Sequence, residues 1–488
     1  MKLTGATLKW LSWLVVTIVI AFWLGYSMFS DNADKSIFMP GPLSAGHHQL
    51  ADACDACHID SFGGGEVLQQ ACVDCHGEDR VKPFDSHPAK KFKDPRNAEL
   101  LENINALSCV TCHTEHKPEI TKKDGLTQPV DFCVHCHQDV AKDRPSHEGM
   151  GFATCKDSGC HNFHNNRALY TNYLIKHLHE QPLLPNTILP EKEFVSVIEE
   201  IVEYPREKYP LQQLGEKDID GAEHLQADDE IKQQWLDSGH ATSGVNCTAC
   251  HVATEAEANT EAATATEADR VESDSTSAWN DRPDHTACIS CHAVEVERFT
   301  KGKHGMRLKS GLSAMKPAMA QLPMKQDAAH QELTCNSCHG AHQYDVQQAA
   351  VESCLGCHDD KHSLAYKQSP HYALWLRELD GEAEAGTGVS CASCHMPRVN
   401  HDVSEWMSRT IVDHNQSANL SPNTKMIRSS CQHCHGLEFV LDTLADEVQI
   451  EANFNGHTDK HIQTMDLAEK EKQRREEASD DDDGMFGF

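Results

Sequence analysis

Residues 109–116 read CVTCHTEH, and the pattern of two cysteines, two residues between them and an adjoining histidine recurs along the chain. Ten stretches have the form C-x-x-C-H, and an eleventh, CKDSGCH, separates its cysteines by four residues. The eleven pairs use 11 × 2 = 22 cysteines, which is every cysteine of the chain. Numbered in chain order as motifs 1 to 11, they are Cys54/Cys57/His58, Cys72/Cys75/His76, Cys109/Cys112/His113, Cys133/Cys136/His137, Cys155/Cys160/His161, Cys247/Cys250/His251, Cys288/Cys291/His292, Cys335/Cys338/His339, Cys354/Cys357/His358, Cys391/Cys394/His395 and Cys431/Cys434/His435.

The C-x-x-C-H pattern is the attachment sequence of c-type haem. Each thiol can bond one vinyl group of the porphyrin, and the adjoining histidine is then held beneath the iron as its proximal ligand. A disulfide framework and a set of zinc sites are the alternatives. Neither alternative explains why a histidine follows every second cysteine. We therefore predict eleven covalently bound c-type haems and eleven proximal histidines.

The composition agrees with an interior filled by cofactors rather than by side chains. Only 39% of the 488 residues are hydrophobic and 6% aromatic, whereas 33 are histidine. The formal net charge of 43 − 75 = −32 repels nucleic-acid phosphates, which excludes a general nucleic-acid binder. We expect a mainly α fold with much irregular structure, in which short helices lie near the motifs and stacked haems form the core.

The N-terminus predicts a membrane anchor. Residues 10–29 carry no charge, and such a run is about as long as a bilayer is thick. Lys2 and Lys9 precede the run and Asp31 and Asp34 follow it, which orients the N-terminus towards the cytoplasm. A cleaved signal peptide, whose apolar core is usually about 7–15 residues, is the alternative. We expect a single-pass protein of the cytoplasmic membrane with the bulk of its chain in the periplasm.

The spacing of the motifs divides the chain. We predict an anchor at 1–30, a linker at 31–46, a pentahaem domain at 47–182, an acidic segment at 183–234, a hexahaem domain at 235–458 and a charged tail at 459–488. Residues 254–276 are rich in Ala, Thr and Glu, and they predict a disordered insertion. The tail, from about residue 466, is also expected to be disordered. Within the acidic segment, Phe194, Val197, Ile198 and Ile201 have helical spacing.

Twenty-two histidines remain after the proximal ones, twice the number that eleven distal positions need. Some stand three residues after a motif, and others precede a motif by a short stretch. Two histidine ligands would close an iron to substrate and leave it able to carry electrons. The distal candidates are His47, His87, His116, His147, His164, His177, His240, His285, His304, His330, His342, His371 and His414.

With these motifs the whole chain resembles the multihaem cytochromes c. Its first module, from PGPLSAGHHQLADACDACH to CHNFHNNRALYTNYLIKH, resembles the small bis-His class III cytochromes. Its second module is similar to part of the hydroxylamine oxidoreductase and octahaem cytochrome superfamily, in the stretches LTCNSCHGAH, QSPHYALWLREL, VSCASCHMPR and NTKMIRSSCQHCHG. That second resemblance implies electron transfer, hydroxylamine oxidation or the reduction of nitrite or another oxyanion.

Two departures weigh against the catalytic members of that superfamily. No motif is C-x-x-C-K, the lysine-ligated catalytic haem that the resemblance would imply for ammonia-forming nitrite reductases. The last tyrosine is Tyr372, so no tyrosine follows motif 11 to cross-link a catalytic haem, as hydroxylamine oxidoreductases require. We assign no catalytic residue. The leading hypothesis is an electron carrier between quinol, or a quinol-oxidising partner, and a periplasmic acceptor. The alternatives are a reductase of a small nitrogen or sulfur oxyanion and an electron-storage protein without a fixed partner.

Overall fold

Short helices begin at or beside many of the attachment motifs. A helical turn places residues three apart on one face, so it directs both thiols of a C-x-x-C pair to the same side. The helix Cys391–His395 begins in this way after Ser390, whose hydroxyl accepts a hydrogen bond from the backbone N–H of Ser393. Thr334 precedes the helix Cys335–His339 in the corresponding position.

The computed structural model describes residues 5–30, 35–60, 64–81, 87–122, 125–155, 163–164, 169–191, 212–221, 228–251, 279–405, 407–420 and 422–484. Its α-helices are Gly5–Phe29, Gly65–Val81, Ala89–Phe92, Ala98–Asn103, Cys109–Cys112, Val134–His137, Val140–Asp143, Thr171–Lys176, Asp229–Leu236, Gly239–Thr242, Thr248–His251, Ile289–Lys301, Met306–Lys309, Cys335–His339, Val346–Ala350, Glu352–Cys357, Lys361–Ala365, Pro370–Leu379, Cys391–His395, Gln416–Leu420, Met426–Ser429, Leu437–Leu444, Glu447–Glu451 and Thr464–Gly484. The predicted fold class, mainly α with much irregular structure, is confirmed.

The other regular elements are 3-10 turns and one hairpin. The 3-10 helices are Ser36–Phe38, His48–Leu50, Cys54–Ala56, Pro95–Asn97, Pro145–His147, Phe152–Thr154, Glu216–Asp218, His285–Cys288, Pro317–Met319, Tyr366–Gln368, Asn423–Lys425 and Cys431–His433. The strands Arg398–Ser404 and Met407–Val412 pair antiparallel, with Arg398 opposite Val412. This hairpin follows motif 10 directly, and the sequence patterns do not predict it.

The chain divides into two compact units. The first contains Met1–Leu169 and Lys309–Ser313, and the second contains Tyr170–Leu308 and Ala314–Phe488. Motifs 1 to 5 therefore lie in the first unit and motifs 6 to 11 in the second. The domain bounds drawn from motif spacing stay a prediction. The helical pattern at 194–201 and the insertion at 254–276 lie outside the described residues.

Side-chain packing is best developed near the end of the second unit. The helix Leu437–Leu444 buries Leu437, Val440, Leu441 and Leu444, whose spacing of three and four residues gives one apolar face. Motif 11 immediately precedes this helix, so the packed face fixes the position of the motif.

The expectation that the charged tail is disordered is wrong over residues 464–484, which form a helix. Met465 and Ala468 are buried, and Arg474 and Arg475 both bond Glu471. The helix packs against Thr171–Lys176. A charged composition does not exclude a helix. Glu, Lys and Arg are good helix formers, and opposite charges three and four residues apart pair on a helix.

The N-terminal helix, Gly5–Phe29, contains an 18-residue stretch whose mean hydropathy is 1.9. It is long and apolar enough to cross a membrane. A signal sequence meets the same criterion, so the helix by itself does not distinguish an anchor from a leader.

Candidate haem sites

Ten of the eleven motif histidines face a second histidine. The ring centroids of these pairs are 5.9 to 6.5 Å apart, and each pair lies within one unit. We call a motif together with its second histidine a site and give it the number of the motif. The pairs are His58–His116, His76–His47, His113–His164 and His137–His87 for sites 1 to 4, and His251–His342, His292–His240, His339–His414, His358–His304, His395–His362 and His435–His371 for sites 6 to 11.

This spacing fits a metal ion held between two imidazoles. A metal–nitrogen bond of about 2 Å on each side, with roughly 1 Å from the nitrogen to the ring centre, separates the centroids by about 6 Å. Two thiols and a proximal histidine on one side, with a distal histidine opposite, are the donors that a c-type haem requires. The donor set therefore fits haem.

The two other readings of the cysteine pairs fit less well. Every cysteine among the described residues is a free thiol, which does not favour a disulfide framework. Tetrahedral zinc would bring three or four cysteine and histidine atoms together at one point. Within the described ranges, only one group of three Cys, His, Asp or Glu side chains brings its ligand atoms within 4.8 Å of one another. This group is Glu438, Asp442 and His461, and it contains no cysteine.

Not every predicted attachment thiol is buried, although a core made of haems would be expected to bury them. Cys291 is exposed, and its Sγ accepts a hydrogen bond from the hydroxyl of Ser290 at 3.8 Å. It lies in the helix Ile289–Lys301, whereas Cys288 stands in the 3-10 turn before that helix and is half-buried. A thioether joins sulfur only to the edge of a porphyrin, so one thiol of a pair can stay near solvent, and the attachment role of Cys291 stays a prediction. Two further motif thiols are exposed in the same way, Cys54 and Cys75.

Backbone carbonyls fix the tautomer of many of the paired histidines. A carbonyl oxygen can only accept a hydrogen bond, so the Nδ1 that contacts it carries the proton and Nε2 keeps its lone pair for a metal. The carbonyl acceptors are Gly41 for His116 (2.8 Å), Phe163 for His87 (2.8 Å), Gly125 for His113 (3.1 Å), Asn280 for His251 (2.8 Å), Val412 for His414 (3.0 Å), Pro182 for His435 (2.9 Å) and Ile450 for His362.

At site 2 a carboxylate takes the place of the carbonyl. The Nδ1 of His47 lies 2.7 Å from Glu115, which also accepts hydrogen bonds from the N–H and hydroxyl of Ser44. Burial alone would raise the pKa of Glu115, but the bonds from His47 and Ser44 outweigh it and lower that pKa to about 2. The ionised carboxylate accepts a hydrogen bond from the Nδ1 of His47 and leaves its Nε2 free to bind a metal.

Three distal histidines follow a shared rule. His116, His164 and His342 each stand three residues after a motif, and each faces the proximal histidine of the motif two places earlier. His116 and His342 have φ values of 61° and 66°, in the left-handed region that residues with a Cβ rarely adopt. This backbone turn directs the ring away from its own motif and towards an earlier one.

The backbone of Gly41 lies so close to His116 that Gly41→Ala should open site 1. A Cβ at this position would be 2.5 Å from the carbonyl oxygen of His116, so the two backbone segments must separate, and we expect this shift to displace His116 from its place opposite His58. We expect one haem equivalent in eleven to become high-spin and, once reduced, to bind carbon monoxide, as measured by electron paramagnetic resonance and difference spectra. Gly151→Ala is the control, because its Cβ would meet no atom within 4 Å. Equal spectra for the two variants would contradict the prediction.

Neighbouring motifs of the first unit lie beside one another. A thiol of the next motif contributes to the raised pKa values of Cys57, Cys72 and Cys133, together with burial. Sites 3 and 4 meet through Phe163, whose ring stacks on His87 at 4.2 Å and contacts His164 at 5.2 Å. The thiol contacts join Cys57 to Cys75, Cys72 to Cys109 and Cys133 to Cys155.

In the second unit a thiol of each motif from 6 to 10 interacts with a thiol of the following motif, and we call this series of neighbours the row. Hydrogen bonds join the thiols of Cys288 and Cys354 to those of Cys335 and Cys391, and raise the pKa of Cys288 and of Cys354. Burial, with the charge of a thiol from the following motif, raises the pKa of the other three thiols that link the row. These further neighbours are Cys250 with Cys288, Cys338 with Cys354 and Cys394 with Cys434.

Nine of the thirteen distal candidates face a motif histidine. Within the described part of the chain, no motif histidine faces His177, His285 or His330. His177 bonds Glu180 at 2.6 Å, the Nδ1 of His285 is buried without a hydrogen bond, and His330 is exposed. His147 lies against Ser146, 3.1 Å from its hydroxyl. Of motif 5, only Cys155 is described, and Cys160 and His161 lie outside the described residues.

His362 is the one paired histidine that we had not predicted as a ligand. It stands four residues after His358, in the short helix Lys361–Ala365, and its ring centroid is 5.9 Å from that of His395. The helix begins after Asp360, whose side chain accepts a hydrogen bond from the N–H of Ser363. This Asp-x-x-Ser capping pattern after motif 9 was the available sequence signal.

Comparison with known proteins gives one family. The model of a family described as cytochrome c3 matches residues 46–138 and 327–411, which contain motifs 1 to 4 and 8 to 10. No curated protein and no solved structure matches the chain. The two matches support a multihaem cytochrome c with covalently bound c-type haems, and this family suggests electron transfer.

Proposed function

We propose that this chain is a membrane-anchored periplasmic cytochrome with eleven c-type haems. It transfers electrons between quinol, or a quinol-oxidising partner protein, and a periplasmic acceptor. The observation that carries the proposal is the set of facing histidine pairs, because an iron with two histidine ligands has no vacant position for a substrate. When bound, haem iron would supply one-electron redox chemistry at these sites.

The protein's own residues would hold and order the carriers. Each motif supplies two thiols and a proximal histidine, and ten further histidines stand opposite: His116, His47, His164, His87, His342, His240, His414, His304, His362 and His371. Hydrogen bonds and electrostatic interactions between thiols of successive motifs support a continuous row of carriers in the second unit. Two histidine ligands and no methionine favour lower potentials than those of Met/His cytochromes.

A hydroxylamine-oxidoreductase-like reductase of a nitrogen or sulfur oxyanion would need an open iron, and the second module is where the sequence suggests that resemblance. All six motif histidines of that unit face a second histidine, which favours the carrier. We expect the oxidised full-length protein to give only low-spin resonance signals, unchanged by nitrite, hydroxylamine or sulfite. A high-spin signal that one of these ligands shifts would refute the carrier proposal and support the reductase.

The apolar helix Gly5–Phe29 supports the anchor part of the proposal. If the helix is retained, the protein should sediment with membranes and stay there through carbonate and high-salt washes. Deleting the helix behind a cleavable signal should release a soluble protein that keeps its haems. A native soluble form that begins shortly after residue 30 would instead identify the helix as a leader peptide.

A further inference from the structure

A cavity of about 250 Å³ lies in the second unit, beside motif 11. Gln432 and His433, the two residues between the cysteines of this motif, form part of its wall. No haem-binding residue of motif 11 itself lines the cavity, since Cys431, Cys434 and His435 are absent from its wall. The other polar side chains that line it are those of Tyr173, His177, Glu180 and Arg428.

Arg428 is the cation of this cavity, and within the described part of the chain no carboxylate forms an ion pair with its guanidinium. The guanidinium carbon lies 3.6 Å from the centre of the Tyr173 ring, over its face. Its Nε and Nη2 are buried and make no hydrogen bond. A desolvated guanidinium with unsatisfied donors is costly unless an anion accompanies it.

Glu180, the acid of the cavity wall, is already engaged. One of its oxygens lies 2.6 Å from the Nδ1 of His177, and the other accepts the backbone N–H of Leu437 at 3.0 Å. Tyr173 cannot supply a negative charge, because burial raises the pKa of its hydroxyl, which donates to Gln432. Among the described residues no carboxylate forms an ion pair with Arg428.

We propose that this cavity is a carboxylate-binding site centred on Arg428, and that in the haem-loaded protein a haem propionate occupies it. The inference rests on the proposed function, which supplies the haems. A guanidinium presents paired N–H donors that match a carboxylate, and burial strengthens that pairing. Each haem brings two propionates, and motif 11 adjoins the cavity, so the Nε and Nη2 of the half-buried Arg428, which bond no protein acceptor, have a suitable carboxylate close by.

The test is a potentiometric titration of the full haem-loaded chain. Arg428→Gln should shift one of the eleven haem steps to lower potential, because an unneutralised carboxylate stabilises the ferric iron beside it. Arg428→Lys keeps the positive charge and should restore most of the shift. Arg474→Gln is the matched control, since Arg474 is half exposed and already pairs with Glu471. Haem content and the low-spin spectrum should stay at the wild-type value in all three variants.

Unchanged potentials in Arg428→Gln, with all haems present, would overturn the inference and leave the carrier proposal intact. Adding acetate distinguishes between the two possible occupants of the cavity, a haem propionate and a diffusible carboxylate. A step that acetate shifts in the wild type but not in Arg428→Gln would assign the cavity to a diffusible carboxylate and refute the propionate. If Arg428→Gln does not fold, an experimental map of the wild-type protein decides: a propionate oxygen within hydrogen-bond distance of Arg428 is expected, and a cavity filled only by water would overturn the proposal.

Discussion

Replacing Cys391, Cys394 and His395 together with alanine should remove the haem of site 10 and unfold the second unit. Burial raises the pKa of the Cys394 thiol to about 11 and, with neighbouring histidines, lowers that of His395 to about 4, and Cys391, Cys394 and His395 are all half-buried. A porphyrin is larger than an indole, and burying about 250 Å² of apolar surface at about 25 cal/mol per Å² contributes about 6 kcal/mol. That amount is comparable to the whole stability of a typical domain, about 5–15 kcal/mol.

Intact mass should show the loss of one covalent haem, and guanidinium unfolding with limited proteolysis should show the loss of the second unit. The matched control is the alanine triple variant of Cys54, Cys57 and His58, because Cys54 is exposed and motif 1 lies in the first unit. The control should also lose one haem but keep a protease-resistant second unit. Equal stability of both variants would show that the haem of site 10 is not part of the core.

His362→Ala should keep every haem and open one iron. The substitution removes the ring that faces His395 at 5.9 Å, while the two thioether bonds and the proximal histidine remain. We expect a high-spin signal of one haem equivalent in eleven, and carbon monoxide binding by the same fraction after reduction. The row of carriers in the second unit would then contain one reactive site, site 10, in its fifth position.

His330→Ala is the control for this prediction. His330 was a candidate from the sequence, but it is exposed and faces no motif histidine in the described part of the chain. Its variant should give the wild-type spectrum. If His362→Ala remains entirely low-spin, another side chain ligates the iron.

The attachment sites are evident in the sequence because their chemistry is local. Two thiols and a histidine within five residues suffice to identify a motif, and the fold class follows from repeating it. The distal side is different, because its ligand comes from elsewhere in the chain. His414 faces His339 across 414 − 339 = 75 residues, and no local pattern records that pairing. The sequence therefore indicated nine of the facing histidines as candidates without indicating which motif each one serves.

His285 and His362 show why local sequence does not identify distal ligands. The first is a candidate that faces no described motif histidine, and the second faces one although it was not a candidate. His285 precedes motif 7 by three residues and looks like a ligand, yet its Nδ1 is buried without a hydrogen bond and no described motif histidine faces it. His362 sits beside Lys361 in a charged stretch and looks like a surface residue. Its ring turns inwards because the carbonyl of Ile450, 88 residues further along, accepts its N–H. Long-range packing decides both cases.

The rule that joins each histidine after motifs 3, 5 and 8 to the motif two places earlier has a consequence for biogenesis. In the exported chain that we propose, residues that come earlier after the N-terminal helix reach the periplasm first, and His116 follows His58 by 116 − 58 = 58 residues. The haem of motif 1 can therefore be attached while its distal face is still vacant, and that face closes only when motif 3 has arrived. The distal faces at motifs 3 and 6 would likewise stay vacant until His164 and His342 arrive. Under the proposed function, the order of translocation would set the order in which these haems are enclosed, and a pause in export would leave a defined, chemically reactive intermediate.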